Sequence, residues 1–300
     1  MSIFTGSGVA ICTPFDKAGA VNYQTYEKLI DFQIKSGTDA IIACGTTGEA
    51  TTLSKDEHIE VVRQAVAFTG KANQLYNRKV PVIAGAGGND TALCMEMGRA
   101  LEKAGADALM YVTPYYNKTS QKGLVLHYTA LAGAVDVPIV VYNIPSRTAH
   151  NMLPSTLYEI AKLPNVVGIK ESSGDIVQVA EMIELCGDAI AVYSGNDNHV
   201  VPMLSLGGKG VVSTIANIAP SQMHNMVMAY LKGDLETSRK LQLGILPLVR
   251  VLFSDINPMV VKAALGLMGF DVGQCRMPLT TIEDSLLESL KEEMTRYGLL

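Results

Sequence analysis

Short apolar runs alternate with longer segments of helical periodicity along most of this chain, and this alternation is what most constrains its fold. The runs are rich in β-branched residues and apolar on both faces, as buried strands are. A parallel sheet covered by helices satisfies this pattern, because each strand is then buried on both sides. Eight strand–helix units within the first three quarters of the chain predict an α/β fold: a closed (β/α)8 TIM barrel with a C-terminal helical appendage.

The boundaries of these units follow from where each pattern changes. We predict strands at Gly8–Thr13, Asp39–Cys44, Val80–Gly85, Ala108–Thr113, Pro138–Asn143, Val166–Glu171, Ala189–Ser194 and Gly210–Ile215. We predict helices at Tyr23–Ser36, Asp56–Thr69, Thr91–Lys103, Gly123–Ala134, Leu157–Lys162, Ile176–Leu185 and His199–Leu206. Ser54 and Glu57 form the pattern of a capping box at a helix start. Gly37, Gly105 and Gly187 stand where glycine commonly ends a helix.

The last part of the chain is typical of helices that pack on the barrel and not of a second catalytic unit. We therefore predict that residues 1–220 form the catalytic barrel. Residues 221–300 are predicted to form the last barrel helix and a helical C-terminal region.

Composition and spacing argue against several classes of protein. The formal net charge is -5 with both signs mixed along the chain, whereas a nucleic-acid-binding protein needs a basic face. The five cysteines lack CxxC spacing and the five histidines lack metal-ligand spacing, so neither a disulfide framework nor a metal site is expected. No signal sequence and no apolar stretch of about 20 residues is visible. We expect a cytoplasmic protein that needs no cofactor and binds neither nucleic acid nor membrane.

Polar side chains gather where the predicted strands end. The segments are Gly45–Glu49, Thr113–Asn117, Tyr142–Thr148, Lys170–Ser172, Ser194–Asp197 and Val212–Thr214. In a (β/α)8 barrel the C-terminal strand ends and the loops after them line one mouth, where active sites are found. The active site is therefore predicted at this mouth.

Lys170 is the most informative of these residues, because it lies in the apolar run Val166–Lys170 that should form part of the barrel wall. Burial favours the neutral form of a lysine, and a neutral amine can attack a carbonyl carbon. The alternative is a lysine that pairs with a buried carboxylate such as Glu171. Placement on a strand leaves the two interpretations equally open.

Hydroxyl and guanidinium groups are predicted to lie near this lysine. Tyr142, one strand earlier, should lie beside Lys170, either as a proton-transfer group or as an aromatic core residue. Thr46 and Tyr116 could extend a chain of hydroxyls, since each donates and accepts hydrogen bonds. The turn that carries Thr46 also offers backbone N–H groups to a carboxylate. Arg147 suits a second carboxylate, although a surface arginine after a turn is the alternative.

Four of these segments resemble the signatures of a known family. Gly45–Glu49, Thr113–Asn117, Tyr142–Thr148 and Gly168–Ser172 resemble the 4-hydroxy-tetrahydrodipicolinate synthase (dihydrodipicolinate synthase) family of class I pyruvate aldolases and lyases. The likeness runs through essentially the whole chain. Each motif alone is shared with the wider superfamily, but Thr46 and Thr47 together with Arg147 resemble the synthase more specifically.

The resemblance implies a lyase that makes a lysine Schiff base. It implies that Lys170 joins pyruvate and that the enamine attacks L-aspartate-4-semialdehyde, a step in diaminopimelate and lysine synthesis. Tyr142 is implied as the proton-transfer residue, in a relay with Thr46 and Tyr116. In the family, the residue that corresponds to Tyr116 reaches into the neighbouring subunit's site, so a homodimer or homotetramer is implied.

The resemblance also implies where the two substrates bind. Thr47 and the main chain of Val212 would contact pyruvate. Gly195 matches a further substrate contact, and Arg147 would bind the carboxylate of the semialdehyde.

One departure from the family concerns regulation. In relatives inhibited by lysine, an interface pocket surrounds the effector with a glutamate and two histidines. His58, Asn89 and Tyr115 match this pocket, but Lys55 replaces one histidine and Leu93 replaces the glutamate. Losing a carboxylate and gaining a positive charge both disfavour the effector's ammonium. We therefore predict weak or absent inhibition by lysine.

Two other functions remain open on the sequence. An N-acetylneuraminate lyase or a 2-keto-3-deoxy sugar acid aldolase would use the same lysine on a longer substrate, but a polyol favours neutral hydrogen-bonding groups where Arg147 stands. A non-catalytic sensor of a keto acid or an amino acid has no need of a Schiff-base amine.

Overall fold

The eight strands form a closed, all-parallel barrel in which each strand is hydrogen-bonded to its two neighbours in chain order. A computed structural model describes residues 2–300. The strands are β1 Gly6–Ala10, β2 Ala40–Ala43, β3 Val82–Gly85, β4 Ala108–Val112, β5 Ile139–Asn143, β6 Val166–Glu171, β7 Ala191–Ser194 and β8 Gly210–Ser213. The predicted TIM barrel and its eight strands are confirmed, with ends that differ by a few residues.

Twelve α-helices lie among the described residues. They are α1 Tyr23–Lys35, α2 Lys55–Tyr76, α3 Thr91–Lys103, α4 Gln121–Ala132, α5 Pro145–Thr148, α6 Pro154–Ile160, α7 Ile176–Cys186, α8 Val200–Ser205, α9 Pro220–Leu231, α10 Leu235–Leu252, α11 Met259–Leu267 and α12 Asp284–Arg296. The capping box of Ser54 and Glu57 is confirmed at the start of α2. That helix runs about two turns beyond the predicted end at Thr69, through Gly70 to Tyr76. Asn77, in the left-handed conformation, ends it.

The barrel interior is plugged near the N-terminal ends of the strands. Phe4, just before β1, stacks on Tyr193 of β7 with ring centroids 4.4 Å apart, and the Tyr193 hydroxyl donates a hydrogen bond to the Phe4 carbonyl. Where β1 meets β8, a side chain on Gly210 would lie 1.9 Å from the Gly6 carbonyl, so the two backbones meet through glycine. This closed end leaves the C-terminal mouth as the accessible one.

The C-terminal helices pack on the barrel and on one another, since α10 contacts both α9 and α12, and α11 contacts α12. The predicted boundary between residues 220 and 221 falls at the start of α9 and stays a prediction. Among residues 2–300 no helix has both the length and the apolar composition that crossing a bilayer requires.

Candidate active site

A cavity of about 300 Å³ opens at the C-terminal mouth of the barrel. Its walls come from the loops after β2, β3, β4 and β5, and the C-terminal region adds a further wall. The lining residues are Cys44, Gly45, Thr46, Glu49, Ala50, Thr51, Thr52, His58, Gly85, Gly87, Met110, Val112, Tyr115, Tyr142, Ile144, Arg147, Thr148, Ile256, Asn257, Pro278 and Leu279. The cavity therefore lies where the strand-end residues predicted the active site.

Lys170 lies inside the barrel beside Tyr142, which lines the cavity. The two residues are register partners on β5 and β6, and the Lys170 Nζ lies 4.2 Å from the centroid of the Tyr142 ring. Both side chains are buried, with 6% of each residue exposed. No carboxylate within residues 2–300 comes within salt-bridge distance of this Nζ. A buried amine without an ionic partner is free to react with a carbonyl carbon.

Glu171 does not pair with Lys170, although the two are adjacent in sequence. Successive residues of a strand point to opposite faces, so the Glu171 carboxylate lies outside the barrel. It accepts hydrogen bonds from Asn143 Nδ2 at 2.9 Å and from the Ser173 backbone N–H at 2.6 Å. Burial raises the pKa of Glu171 above its usual value, and these hydrogen bonds oppose that rise. The ion-pair interpretation of Lys170 is thus wrong as far as Glu171 is concerned.

Asp197 is a buried carboxylate near Lys170 that the sequence did not single out. It accepts hydrogen bonds from Ser213 Oγ at 2.6 Å and from the backbone N–H groups of Thr214 and Ile215 at 3.2 Å. Burial raises the pKa of Asp197, while the hydrogen bonds and the positive charge of Lys170 lower it. Asp197 thereby ties the end of β7 to the end of β8.

Gly195 leaves room for the Lys170 side chain. A Cβ at this position would lie 2.9 Å from Lys170 Cε and 1.9 Å from Ser172 Oγ, and both distances are too short for real contacts. The Gly195 backbone N–H donates a hydrogen bond to the Glu171 carbonyl at 2.8 Å, which fixes the loop at the end of β7. Glycine is therefore required here for close approach.

Gly45–Glu49, called here the double-threonine turn, follows β2 and lies on one wall of the cavity. Thr46 lines the cavity and is partly exposed, whereas Thr47 is buried. The Thr47 hydroxyl accepts a hydrogen bond from Asn257 Nδ2 at 3.0 Å, so its own O–H group can donate a hydrogen bond to another acceptor. Within residues 2–300 no hydrogen bond joins the side chains of Thr46 and Tyr142.

Arg147 lies on the wall formed by the loop after β5. It belongs to the short helix α5, which begins with Pro145 at its first position and was not predicted from the sequence. The side chain is exposed, lines the cavity, and has no carboxylate within salt-bridge distance among the described residues. Val212, on β8, is buried in the barrel interior with Tyr142 and Tyr193.

Tyr116 is not brought into the cavity of this chain. It adopts a positive φ of 67° and is 91% exposed, so almost none of its surface is covered by this chain. The neighbouring Asn117 Nδ2 donates a hydrogen bond to the Asn89 carbonyl at 2.9 Å, which joins the loop after β4 to the loop after β3.

Two of the three residues matched to the effector pocket line the same cavity. His58 and Tyr115 are lining residues, and His58 Nε2 lies 2.8 Å from the Gly85 carbonyl. Burial lowers the pKa of His58, and this hydrogen bond opposes the shift. Lys55 forms an exposed ion pair with Glu96, and Leu93 is exposed.

The C-terminal region contributes residues at or near the cavity that sequence reasoning missed. Asn257 is buried and holds Thr47, and Lys262 of α11 forms a buried ion pair with Glu49. The signal for Lys262 was available, since it is the one charged residue in the apolar segment Met259–Leu267. No cluster of three or more potential metal ligands lies among residues 2–300.

Comparison with known proteins gives results that match this geometry. Residues 3–296 match the model of the dihydrodipicolinate synthetase family. The 4-hydroxy-tetrahydrodipicolinate synthase of Thermoanaerobacter sp. (strain X514) is 53% identical over 301 residues, which cover 100% of this chain and 99% of that protein. The crystal structure of dihydrodipicolinate synthase from Thermotoga maritima matches this chain with a TM-score of 0.94 at 40% sequence identity. The crystal structure of the synthase from Cyanidioschyzon merolae with lysine bound matches with a TM-score of 0.95 at 37% identity. Each comparison covers 100% of both chains. The chain therefore belongs to the dihydrodipicolinate synthetase family.

Proposed function

We propose that this chain is a 4-hydroxy-tetrahydrodipicolinate synthase, a lyase that condenses pyruvate with L-aspartate-4-semialdehyde through a Schiff base on Lys170. The observation that carries the proposal is a buried lysine without a carboxylate partner, beside a tyrosine at the cavity of a (β/α)8 barrel. The chain belongs to the family, and about half of its residues are identical to those of 4-hydroxy-tetrahydrodipicolinate synthases over its whole length; both findings support the same reaction.

The first half of the reaction uses the Lys170 amine. The amine adds to the C2 carbonyl of pyruvate and loses water, which gives an iminium ion. Loss of a proton from the methyl group then gives an enamine, whose terminal carbon attacks the aldehyde of the second substrate and forms the new carbon–carbon bond. The substrate's own amine then adds to C2 and displaces the lysine, so the ring closes and the enzyme is regenerated.

Tyr142 is proposed to carry protons in these steps, because its ring lies against the Lys170 side chain. Thr46, which also lines the cavity, is proposed as the next hydroxyl of the relay. Tyr116 is proposed to complete the relay in the site of a neighbouring subunit, and its 91% exposure in this chain supports that placement. A homodimer or homotetramer is part of this proposal, as is the cytoplasmic location predicted from the sequence.

The two carboxylates of the reaction have separate proposed positions. Thr47 and the main chain of Val212 are proposed to bind the carboxylate end of pyruvate near Lys170, with Gly195 as a further contact. Arg147 is proposed to bind the carboxylate of the semialdehyde, because an unpaired guanidinium on the cavity wall suits a planar anion.

Borohydride trapping tests the proposed function. Pyruvate and sodium borohydride should reduce the iminium to a stable adduct on the peptide that contains Lys170, which mass analysis locates. Lys262 is an internal control, since it is buried but paired with Glu49 and should stay unmodified. Absence of an adduct on Lys170 would exclude both this function and the sugar-acid aldolase.

Activity with different aldehydes separates those two enzymes. At a fixed pyruvate concentration, we expect turnover with aspartate semialdehyde and little with the aldehydes that sugar-acid aldolases use. The opposite preference would overturn the assignment of the second substrate.

A further inference from the structure

A buried ion pair between Lys262 and Glu49 holds the double-threonine turn, and neither residue has a part in the proposed reaction steps. Lys262 Nζ lies 2.5 Å from Glu49 Oε1, and the two side chains are 3% and 0% exposed. The second carboxylate oxygen of Glu49 accepts a hydrogen bond from the Arg276 backbone N–H at 2.9 Å. Glu49 is the last residue of the turn, whereas Lys262 and Arg276 belong to the C-terminal region.

The backbone of this turn needs such support, because its last residue and the residue just before the turn adopt strained conformations. Cys44, just before the turn, and Glu49 adopt positive φ angles of 53° and 52°, although neither is glycine. Residues held in the left-handed region persist only where the surrounding contacts determine their conformation. Glu49, one of these two strained residues, is itself the carboxylate of the ion pair.

Further contacts tie the same turn to its surroundings. Asn257 Nδ2 donates to the Thr47 hydroxyl at 3.0 Å, and the Thr13 hydroxyl donates to the Gly48 carbonyl at 2.7 Å. Lys262 is itself fixed, because its Nζ lies 4.1 Å from the centroid of the Phe15 ring and donates to the Gln274 carbonyl at 3.2 Å. Contacts from the C-terminal region and from Thr13 therefore hold the turn through buried polar groups.

We infer that Lys262 is a positioning residue for pyruvate: through Glu49 it fixes the conformation in which the double-threonine turn presents Thr46 and Thr47 to the substrate. This inference rests on the proposed function, in which Thr47 binds the carboxylate of pyruvate. The ion pair has no comparable link to Arg147, which lies in α5 on another wall of the cavity. Loss of the pair should therefore affect the binding of pyruvate and leave that of the semialdehyde nearly unchanged.

The double variant Glu49→Gln/Lys262→Met is the principal test. It removes both charges and keeps similar volumes, and replacing a buried ion pair by neutral groups is often tolerated by the fold. We expect KM for pyruvate to rise about tenfold to a hundredfold, the range that small misplacements of binding groups produce. KM for the semialdehyde should change less than about threefold, and borohydride trapping at low pyruvate should slow in parallel.

A milder variant, Glu49→Gln alone, decides the question if the double variant does not fold. Glutamine keeps the volume of the Glu49 side chain but removes the charge that pairs with Lys262, so KM for pyruvate should still rise, by a smaller factor than in the double variant. The matched control is Glu159→Gln/Lys162→Met, which removes an exposed ion pair on the outer surface and should leave both KM values unchanged.

The outcomes separate this inference from the proposed function. A folded variant, double or single, with wild-type KM for pyruvate would overturn the positioning of the turn by Lys262. Equal losses for both substrates would also overturn it, because they would indicate a general structural effect. If wild-type protein traps no pyruvate on Lys170, the proposed function fails instead.

Discussion

Gly195→Ala is the substitution whose effect the geometry defines best. The added Cβ would lie 1.9 Å from Ser172 Oγ, 2.9 Å from Lys170 Cε and 3.0 Å from Lys170 Cγ. Carbon atoms in contact prefer separations of roughly 3.5–4.0 Å, so the Lys170 side chain must move by about 0.5–1 Å or the loop after β7 must shift. The added methyl group thus displaces the reactive amine through its contact with the Lys170 side chain.

Both the stability and the rate should report this displacement. Overpacking a dense interior costs about 1–3 kcal/mol, so the variant should fold with a lower melting temperature. A misplacement of about 1 Å can cost roughly a hundredfold in rate, and we expect kcat/KM to fall about tenfold to a hundredfold. The rate of borohydride trapping with pyruvate should fall by a similar factor, because the same amine forms the adduct.

Two further variants give this experiment its controls. Gly244→Ala lies in α10 with open space around it, so it should keep full activity and gain about 0.5–1 kcal/mol of stability. Ser172→Ala in the Gly195→Ala background removes the closest contact and should recover stability, while activity stays low because Lys170 is still displaced. Wild-type kcat/KM in Gly195→Ala would refute the close packing of Lys170 against this glycine.

Three other expected outcomes follow from the site and its surroundings. Tyr142→Phe should lower kcat about 10²–10⁴-fold while pyruvate can still be trapped, and unchanged kcat would exclude Tyr142 as the proton carrier. Hydrogen bonds from Arg276 lower the pKa of Glu57 from 4.5 to about 2, so their stabilisation is present above about pH 4.5 and is lost towards pH 2. The difference in unfolding free energy between wild type and Arg276→Met should therefore shrink over that range in acid denaturation, and a constant difference would contradict it. Lysine should inhibit weakly or not at all, whereas Lys55→His/Leu93→Glu should gain inhibition; clear inhibition of the wild type by sub-millimolar lysine in a coupled assay would refute the first part.

The barrel was predictable because periodicity alone distinguishes its strands from its helices. β6 was predicted with the observed bounds Val166–Glu171, since its apolar run begins after Asn165 and the turn-forming segment Ser172–Gly174 follows its end. α5 was not predicted, because a four-residue helix after Ile144 has too few residues for a periodic pattern. The length of α2 was underestimated, because the helix passes through Gly70 and continues to Tyr76, beyond the predicted end at Thr69.

The site residues that lie on or just after the strands were predictable, whereas those contributed by the C-terminal region were not. Lys170 and Tyr142 were expected to be neighbours because strands of consecutive units pair in a parallel barrel, and they are register partners. Asn257 reaches Thr47 across 210 positions of sequence, and no pattern in one sequence encodes that contact. The exclusion of a Lys170–Glu171 pair was available in advance, because adjacent strand residues point to opposite faces.

The two buried lysines, Lys170 and Lys262, show the limit of predicting a reactive lysine from its place in an apolar run. Lys170 and Lys262 both interrupt apolar runs, and a rule that looks for such interruptions finds both. Their chemistry differs because a glutamate from a different part of the chain lies 2.5 Å from one amine, while no carboxylate reaches the other. An amine held in an ion pair with a buried carboxylate is engaged by that partner, whereas a buried amine without such a partner is left to attack a carbonyl carbon. The presence or absence of a carboxylate partner, and not burial, therefore separates Lys170, which is proposed to react, from Lys262, which is proposed to hold the turn. An adduct on Lys262 and none on Lys170 after treatment with pyruvate and borohydride would contradict this distinction.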